Sequence, residues 1–267
     1  MFASALGLSL KTGRRFLLHL DSYSGDTVAK YFAYADARTN LSEIEFEGLH
    51  EERCCFYSEQ MVNTLLNFTV TKNIRLVGYL CSYQYWYDFK DRIREAFRFK
   101  DNIQERATQL IDRTLTDNNR TREDVVLITI HARRGDFVNN KFGYVPALPD
   151  YIKAATDYIR DKLKNSTKPL VFMLFGNDLN WNRNLASAHP DMLIPAERAD
   201  EATDMCAIST GDHVIMSVGT FGWWAAYLAK PTAMVLYQQL VYVPDSPLSG
   251  SFKPQLAGYM LPEWIGL

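Results

Sequence analysis

Val125-Val126-Leu127-Ile128-Thr129-Ile130 runs without a break into His131-Ala132-Arg133-Arg134-Gly135-Asp136-Phe137, and this stretch decides the fold. Its first six residues are all apolar or β-branched, the pattern of a strand buried on both faces of a parallel sheet. A helix is expected over 149–164, since Pro149 and Asp150 suit a helix start and the lysines near 164 suit its end. Leu170 to Phe175 reads as the next buried strand. The pattern then repeats with a helix near 200–209, a strand over 213–217, a helix near 221–229 and a strand over 232–237. Strands alternating with helices predict an α/β fold with a doubly wound parallel sheet. Ligands of such sheets bind beyond the carboxyl ends of the strands, so the chemistry is expected there.

Upstream the pattern is looser. An apolar helix is expected over 2–12, a short strand over Arg15 to Leu20, a strand over Ile74 to Leu80, and helices over 83–99 and 102–115. Residues 21–70 show no orderable pattern, and the polar stretch 116–124 reads as a linker. The expected division is therefore an N-terminal α/β half over 1–120 and a C-terminal half over 121–267.

Composition narrows the class. With 267 residues, 47% hydrophobic and 22% charged, the chain is globular rather than disordered. A net charge of −2 provides no footprint for nucleic acid. Lacking any run of about 18 apolar residues, the sequence shows no transmembrane span. Met1 to Leu10 is apolar but short and leads into Lys11-Thr12-Gly13-Arg14-Arg15, which fits a helix of the fold better than a signal peptide. Cys54, Cys55, Cys81 and Cys206 show no zinc spacing; adjacent Cys54 and Cys55 suit distant partners better than each other, and the pairing stays open. Three Asn-x-Ser/Thr sequons, at Asn67, Asn119 and Asn165, favour a luminal protein.

Two segments carry candidate chemistry. Side chains alternate along a strand, so His131 and Arg133 are expected to face one way and Arg134 the other. A guanidinium fork at such an edge fits two phosphate oxygens. Gly135 permits the turn that leaves the strand, and Asp136 is placed to pair with an arginine, orient it or act as a base. Spacing alone leaves two readings open, a strand-end ion pair between Arg134 and Asp136 or a phosphate site. The second segment is Ser217-Val218-Gly219-Thr220-Phe221-Gly222-Trp223-Trp224, a strand end, a small-residue turn and a helix start with Thr220 placed to cap it. Amides, helix dipole and hydroxyl there form an anion site, or simply an ordinary capped helix. Trp223 and Trp224 suit packing as well as they suit a sugar platform. Asp204, on the helix before the strand 213–217, belongs either to the site or to a solvated face. Asn177-Asp178 occupies another sheet edge. No Asp-x-Asp occurs in the chain, so a bound diphosphate is expected to be met by arginine and helix amides instead of Mg²⁺.

Residues 131–137 spell His-x-Arg-Arg-Gly-Asp-aromatic, and in this they resemble the α-1,2-fucosyltransferases. The segment His213 to Leu228, Pro244-Asp245-Ser246-Pro247, Phe252-Lys253-Pro254 and Leu261 to Gly266 are similar to later motifs of that family, in the same order, and Gly78 to Tyr83 adds weaker support. The resemblance implies a two-domain, GT-B-like fold with two Rossmann-type halves and no metal. It also implies inverting transfer of fucose from GDP-fucose to the 2-hydroxyl of a terminal galactose on a glycan acceptor. In that picture Arg133 binds the β-phosphate with Arg134 beside it, and His131 and Asp204 approach guanine or ribose. Gly219, Thr220 and Phe221 hold phosphate oxygens, and Asp136 is the candidate base. A Golgi-luminal, type II membrane protein is implied for the full-length form. The family's catalytic region opens with a strand and a Gly-x-x-Gly-Asn loop; Met1 to Ala5 fits only the end of that motif, so loop, strand and anchor are expected to be missing through a truncated gene model or alternative start. Two rival readings are a protein O-fucosyltransferase-like enzyme and a GDP-fucose-binding pseudoenzyme.

Overall fold

The computed structural model describes residues 1–19, 23–34, 38–39, 41, 43–67, 72–252, 256 and 258–267. It divides into two compact units: residues 1–100 with 250–262, and residues 101–249 with 263–267. The sequence reading put the boundary after residue 120. The division falls earlier because the helix Asp101–Thr116 buries Ile103, Ala107, Leu110 and Ile111 within the second unit.

In the first unit the helix Phe2–Thr12 ends at Gly13 in the left-handed conformation. Two parallel strand pairs follow, Leu18–His19 with Arg38–Thr39 and Phe46–His50 with Asn73–Val77. Of the expected strand over 15–20, only Leu18–His19 is extended, and Leu20 lies outside the described residues. The helix Glu59–Leu66 starts at Ser58, whose hydroxyl accepts the Met61 N–H at 3.1 Å. The helix expected over 83–99 is instead two 3-10 turns, Tyr83–Tyr85 and Tyr87–Phe89, and a short helix Lys90–Ala96. Neighbouring Tyr85 and Trp86 are both buried, Tyr85 with its hydroxyl between Ser58 N–H and the Phe56 carbonyl and Trp86 against Gly7.

The second unit has the expected alternation. Its strands are β1 (Val126–Ala132), β2 (Leu170–Gly176), β3 (Met192–Leu193), β4 (His213–Met216), β5 (Val235–Tyr237) and β6 (Ile265–Gly266). Its main helices are α1 (Asp101–Thr116), α2 (Pro149–Lys162), α3 (Leu179–Ser187), α4 (Glu201–Ser209) and α5 (Thr220–Leu228). All six strands run parallel in the order β6-β5-β4-β1-β2-β3. Helix α3 and strands β3 and β6 were not foreseen; the last two are two residues long, too short for a periodic signal. Along β1 the even positions Ile128, Ile130 and Ala132 join Ile152, Ala155 and Ile159 of α2 in one core layer. The odd positions face the other way, where the Thr129 hydroxyl donates to the Ile208 carbonyl of α4 at 2.6 Å. Helices therefore cover both faces, and that double cover is why β1 reads as an unbroken apolar run.

At the amino end of the sheet, Asp212 joins β4 to β1. Its carboxylate accepts the Leu127 N–H at 2.8 Å and pairs with Lys230 at 2.8 Å and Arg122 at 3.1 Å. Burial alone would raise its pKa, but the bonds from Arg122, Lys230 and Leu127 outweigh that and hold it at about 2. The folded value lies below the unfolded carboxylate, so the stabilisation is present above about pH 4 and is lost as pH falls toward 2. We expect Asp212→Asn to lower unfolding free energy by about 1–2 kcal/mol at neutral pH, allowing for solvent screening, with the gap to the parent chain closing in acid. Urea titrations followed by tryptophan fluorescence at several pH values measure this.

Candidate functional site

The chain winds outward from β1 in two directions, through β2 and β3 on one side and through β4, β5 and β6 on the other. Loops leaving β1 and β4 thus diverge, and the crevice between them is where a doubly wound sheet receives a ligand. Both segments singled out in the sequence leave the sheet at this point. They are joined directly: the Arg133 N–H donates to the hydroxyl of fully buried Ser217 at 2.8 Å, and the Ser217 N–H donates to the His131 carbonyl at 3.0 Å.

The alternation expected for His131, Arg133 and Arg134 is present. Arg134 turns toward the α2 and α3 side, where it donates to the Ala147 carbonyl at 2.7 Å, lies 3.5 Å from Asp178 and covers the Trp181 ring at 4.5 Å. Arg133 points outward with its side chain one-third exposed, 2.9 Å from Asp136 and over the Phe137 ring at 5.3 Å. The ion pair proposed between Arg134 and Asp136 is therefore not formed. Asp136 lies three positions after Arg133, and the 3-10 turn Gly135–Phe137 folds it back onto that guanidinium. Desolvation, the largest single influence, pushes the Asp136 carboxyl up, but the hydrogen bond and charge of Arg133 with the bond from Asn177 together hold it below the usual carboxylate range. Asn177 clamps the same turn: its carbonyl oxygen accepts the Arg134 N–H at 2.9 Å and its amide donates to Asp136 at 3.3 Å. A Cβ on Gly135 would lie 2.4 Å from that amide, so close approach is a second reason for glycine here beyond the turn.

On the β4 side the helix cap differs from the sequence reading. Gly219, at φ 94°, is the N-cap residue and Thr220 is the first residue inside α5; no side chain caps the helix. The first-turn amides thus have no hydroxyl competing for them, and Thr220 is exposed at the edge. Phe137 closes the gap between the two segments, since its ring carbons lie 3.8 Å from a Cβ placed on Gly219. Arg133 and Gly219 therefore both lie against the Phe137 ring, which sits between the guanidinium and the helix start.

His131 takes a different position from the one suggested by its place in the motif. It is 4% exposed, packed beneath the first turn of α5 with its ring 5.2 Å from Phe221. A Cβ on Gly222 would lie 2.3 Å from its Nδ1, which is buried with no hydrogen-bond partner. Burial, reinforced by the Arg133 charge, pushes the imidazole down to about 3, so His131 is neutral. Trp223 is core, stacked on Tyr227 and packed near Trp264. Asp204 lies in the first turn of α4, whose N-terminus reaches the carboxyl edge of the sheet because α4 runs antiparallel to β4. It is half-buried, and burial first, then the charges of Asp200 and Glu201 against the opposing Arg198, raise it to about 6. Reading the sequence missed Ser217, Asn177 as a clamp, and Gln238. The buried Gln238 amide holds the loop after β1 by donating to Pro146 and Leu240 carbonyls and accepting the Leu148 N–H. Ser217 was detectable as the polar residue ending an apolar strand at the switch point.

A family model described as Glycosyl transferase family 11 matches residues 58–267. Galactoside alpha-(1,2)-fucosyltransferase 2 of Pongo pygmaeus is 30% identical to the chain over 200 residues, which cover 73% of this chain and 55% of that protein. The protein of the same name from Rattus norvegicus is 31% identical over 200 residues, covering 73% and 53%. The chain thus spans about half the length of the curated relatives it matches. Among solved structures, NodZ alpha-1,6-fucosyltransferase co-crystallized with GDP is similar at a TM-score of 0.51 and 14% identity, covering 85% of this chain and 86% of that one. Fucosyltransferase NodZ from Bradyrhizobium gives the same TM-score and identity, with 85% and 87% covered. That likeness is one of fold and places the chain in the α/β, GT-B-like class.

Asp204 offers a test of the site's electrostatics. Its folded pKa is raised, so its favourable contribution is present below the unfolded value near 4 and is lost as pH rises through about 6. We expect Asp204→Asn to be more stable than the parent chain above pH 6, by about 1–2 kcal/mol after allowing for its partial exposure, with the gap vanishing toward about pH 4. Thermal melts across that range measure it.

Proposed function

This chain belongs to glycosyl transferase family 11, and from that premise we propose that it transfers fucose from GDP-fucose to the 2-hydroxyl of a terminal galactose on a glycan. The names of its curated relatives support the linkage. The observation that carries the reading is the adjacency of the Arg133 guanidinium and the uncapped start of α5 at the switch point.

Breaking the bond between fucose and the diphosphate leaves negative charge on GDP. Arg133 supplies a planar cation and the amides of Thr220 and Phe221 supply oriented dipoles, all fixed before the reaction begins, so the developing charge is stabilised without reorganisation. With these donors the diphosphate needs no divalent metal, in keeping with a sequence free of Asp-x-Asp. Asp136 orients the guanidinium, and that pairing makes its carboxylate a weak base for the acceptor hydroxyl. A loose, oxocarbenium-like sugar asks little of a base. Arg134 and Asn177 hold the turn, and neutral His131 supports the helix start from behind. Asp204, whose burial raises its pKa to about 6 and leaves it largely ionised at neutral pH, meets the ribose or guanine from the same edge as a hydrogen-bond acceptor. A Golgi-luminal setting is supported by sequons whose Asn119 and Asn165 are exposed. Among the described residues no helix is long and apolar enough to cross a membrane.

Calorimetric titration with GDP in the presence of a chelator tests the donor site. Binding is expected without metal, and Arg133→Ala is expected to weaken it by about 1.5–3 kcal/mol, roughly 10- to 150-fold. Unchanged affinity in the variant would remove the assignment. Incubation with GDP-fucose and a galactose-terminated acceptor then separates an enzyme from a donor-binding protein that does not turn over.

A further inference from the structure

Cys54 and Cys55 lie at the carboxyl end of the strand Phe46–His50, and Cys81 lies at the carboxyl end of its parallel partner Asn73–Val77. The register pairs His50 with Val77, so the loops leaving both strands start side by side. As a result the three Sγ atoms all lie within 4.8 Å of one another, with Cys54 and Cys55 only 3.2 Å apart. All three thiols are free; Cys55 is buried, and Cys54 and Cys81 are partly open to solvent. Among the described residues this is the one group of three or more potential ligands so arranged.

The Glu51 side chain closes the same corner. One of its carboxylate oxygens accepts the Tyr79 N–H at 2.7 Å, while the other is buried with no hydrogen-bond partner. The Met1 ammonium faces the same corner and offsets part of the cost of that unpartnered oxygen.

We propose that Cys54, Cys55 and Cys81 form a binding site for one thiophilic divalent cation of the zinc class, with the fourth position left to water or to Glu51. Zinc bonds thiolate sulfur at about 2.3 Å, so tetrahedral ligands sit about 3.8 Å from each other. Separations that start at 3.2 Å and stay within 4.8 Å bracket that spacing, so small side-chain rotations complete it. Binding releases the thiol protons to solvent and involves no change of oxidation state. The site bridges two loops of one parallel strand pair, which makes it structural. Local spacing rules pass over it because the ligands come from separate strands, 26 residues apart between Cys55 and Cys81.

The test uses the full chain, reduced and freed of metal. Cobalt titration is expected to give one equivalent of binding, with a thiolate-to-metal charge-transfer band and the visible bands of a tetrahedral ion. Cys81→Ser is expected to weaken binding by more than about tenfold. Cys206→Ser, on α4, is expected to leave it unchanged. Should Cys81→Ser fail to fold, the parent chain answers alone: zinc is expected to protect the partly open Cys54 and Cys81 from alkylation, while the slow reaction of buried Cys206 stays the same with and without zinc. Equal alkylation with and without zinc would overturn the proposal. So would a disulfide from Cys81 to Cys54 or Cys55 in the protein as purified, found by non-reducing peptide mapping.

Discussion

One hydrogen bond organises the second unit's functional edge: the Arg133 N–H to the Ser217 hydroxyl at 2.8 Å. Beyond the last ladder pair of β1 and β4 the two chains must separate, and backbone donors exposed at a split would otherwise need water. Ser217, fully buried, supplies the acceptor and keeps the strands in register one residue further than the ladder extends. Everything placed on the two diverging loops inherits its position from that tie. The guanidinium of Arg133 and the amide end of α5 become neighbours because their backbones are fastened before they part.

Charge at this edge is sorted by packing. The two arginines adjacent in sequence have opposite surroundings: Arg134 is consumed by Ala147, Asp178 and Trp181, while Arg133 keeps one-third of its side chain in solvent. Beneath them, His131 stays uncharged because burial and the Arg133 charge both oppose protonation. A neutral ring under the helix start adds no positive charge there, so the field at the edge comes from Arg133 and the helix dipole. Glycine at 222 is required by that ring, since a methyl group would collide with it.

Most of the second unit was legible in the sequence, and the reason is physical. Strands covered on both faces must be apolar throughout, so β1, β2 and β4 announced themselves, and the helices between them followed from periodicity and end signals. The first unit was harder. Its strand pairs are half-exposed, and its aromatic segment 83–99 is two 3-10 turns and a short helix, elements too short to carry a helical period. At the site, residue types foretold the chemistry but not the pairing. Arg133 rather than Arg134 meets Asp136, because a 3-10 turn sets three-residue spacing and alternation had already sent Arg134 to the far side. Thr220 resembled a cap, yet Gly219 takes that position. Asn177 and Gln238 act through backbone groups, and backbone partners leave no trace in a sequence pattern, whereas Ser217 was marked only by its place as the polar end of an apolar strand.

The path of the chain near its C-terminal residues has a consequence for biosynthesis. Residues 250–262 belong to the first unit, and the next few return to the second, where Ile265–Gly266 pairs with Val235–Tyr237. A ribosome delivers these segments after the rest of either unit has emerged. The outer edge of Val235–Tyr237 therefore stays unpaired, and the first unit stays unfinished, until residues 250–266 have left the exit tunnel. Open strand edges recruit other chains. A nascent form of this protein is thus open to association until residues 250–266 have emerged, because until then neither unit is sealed.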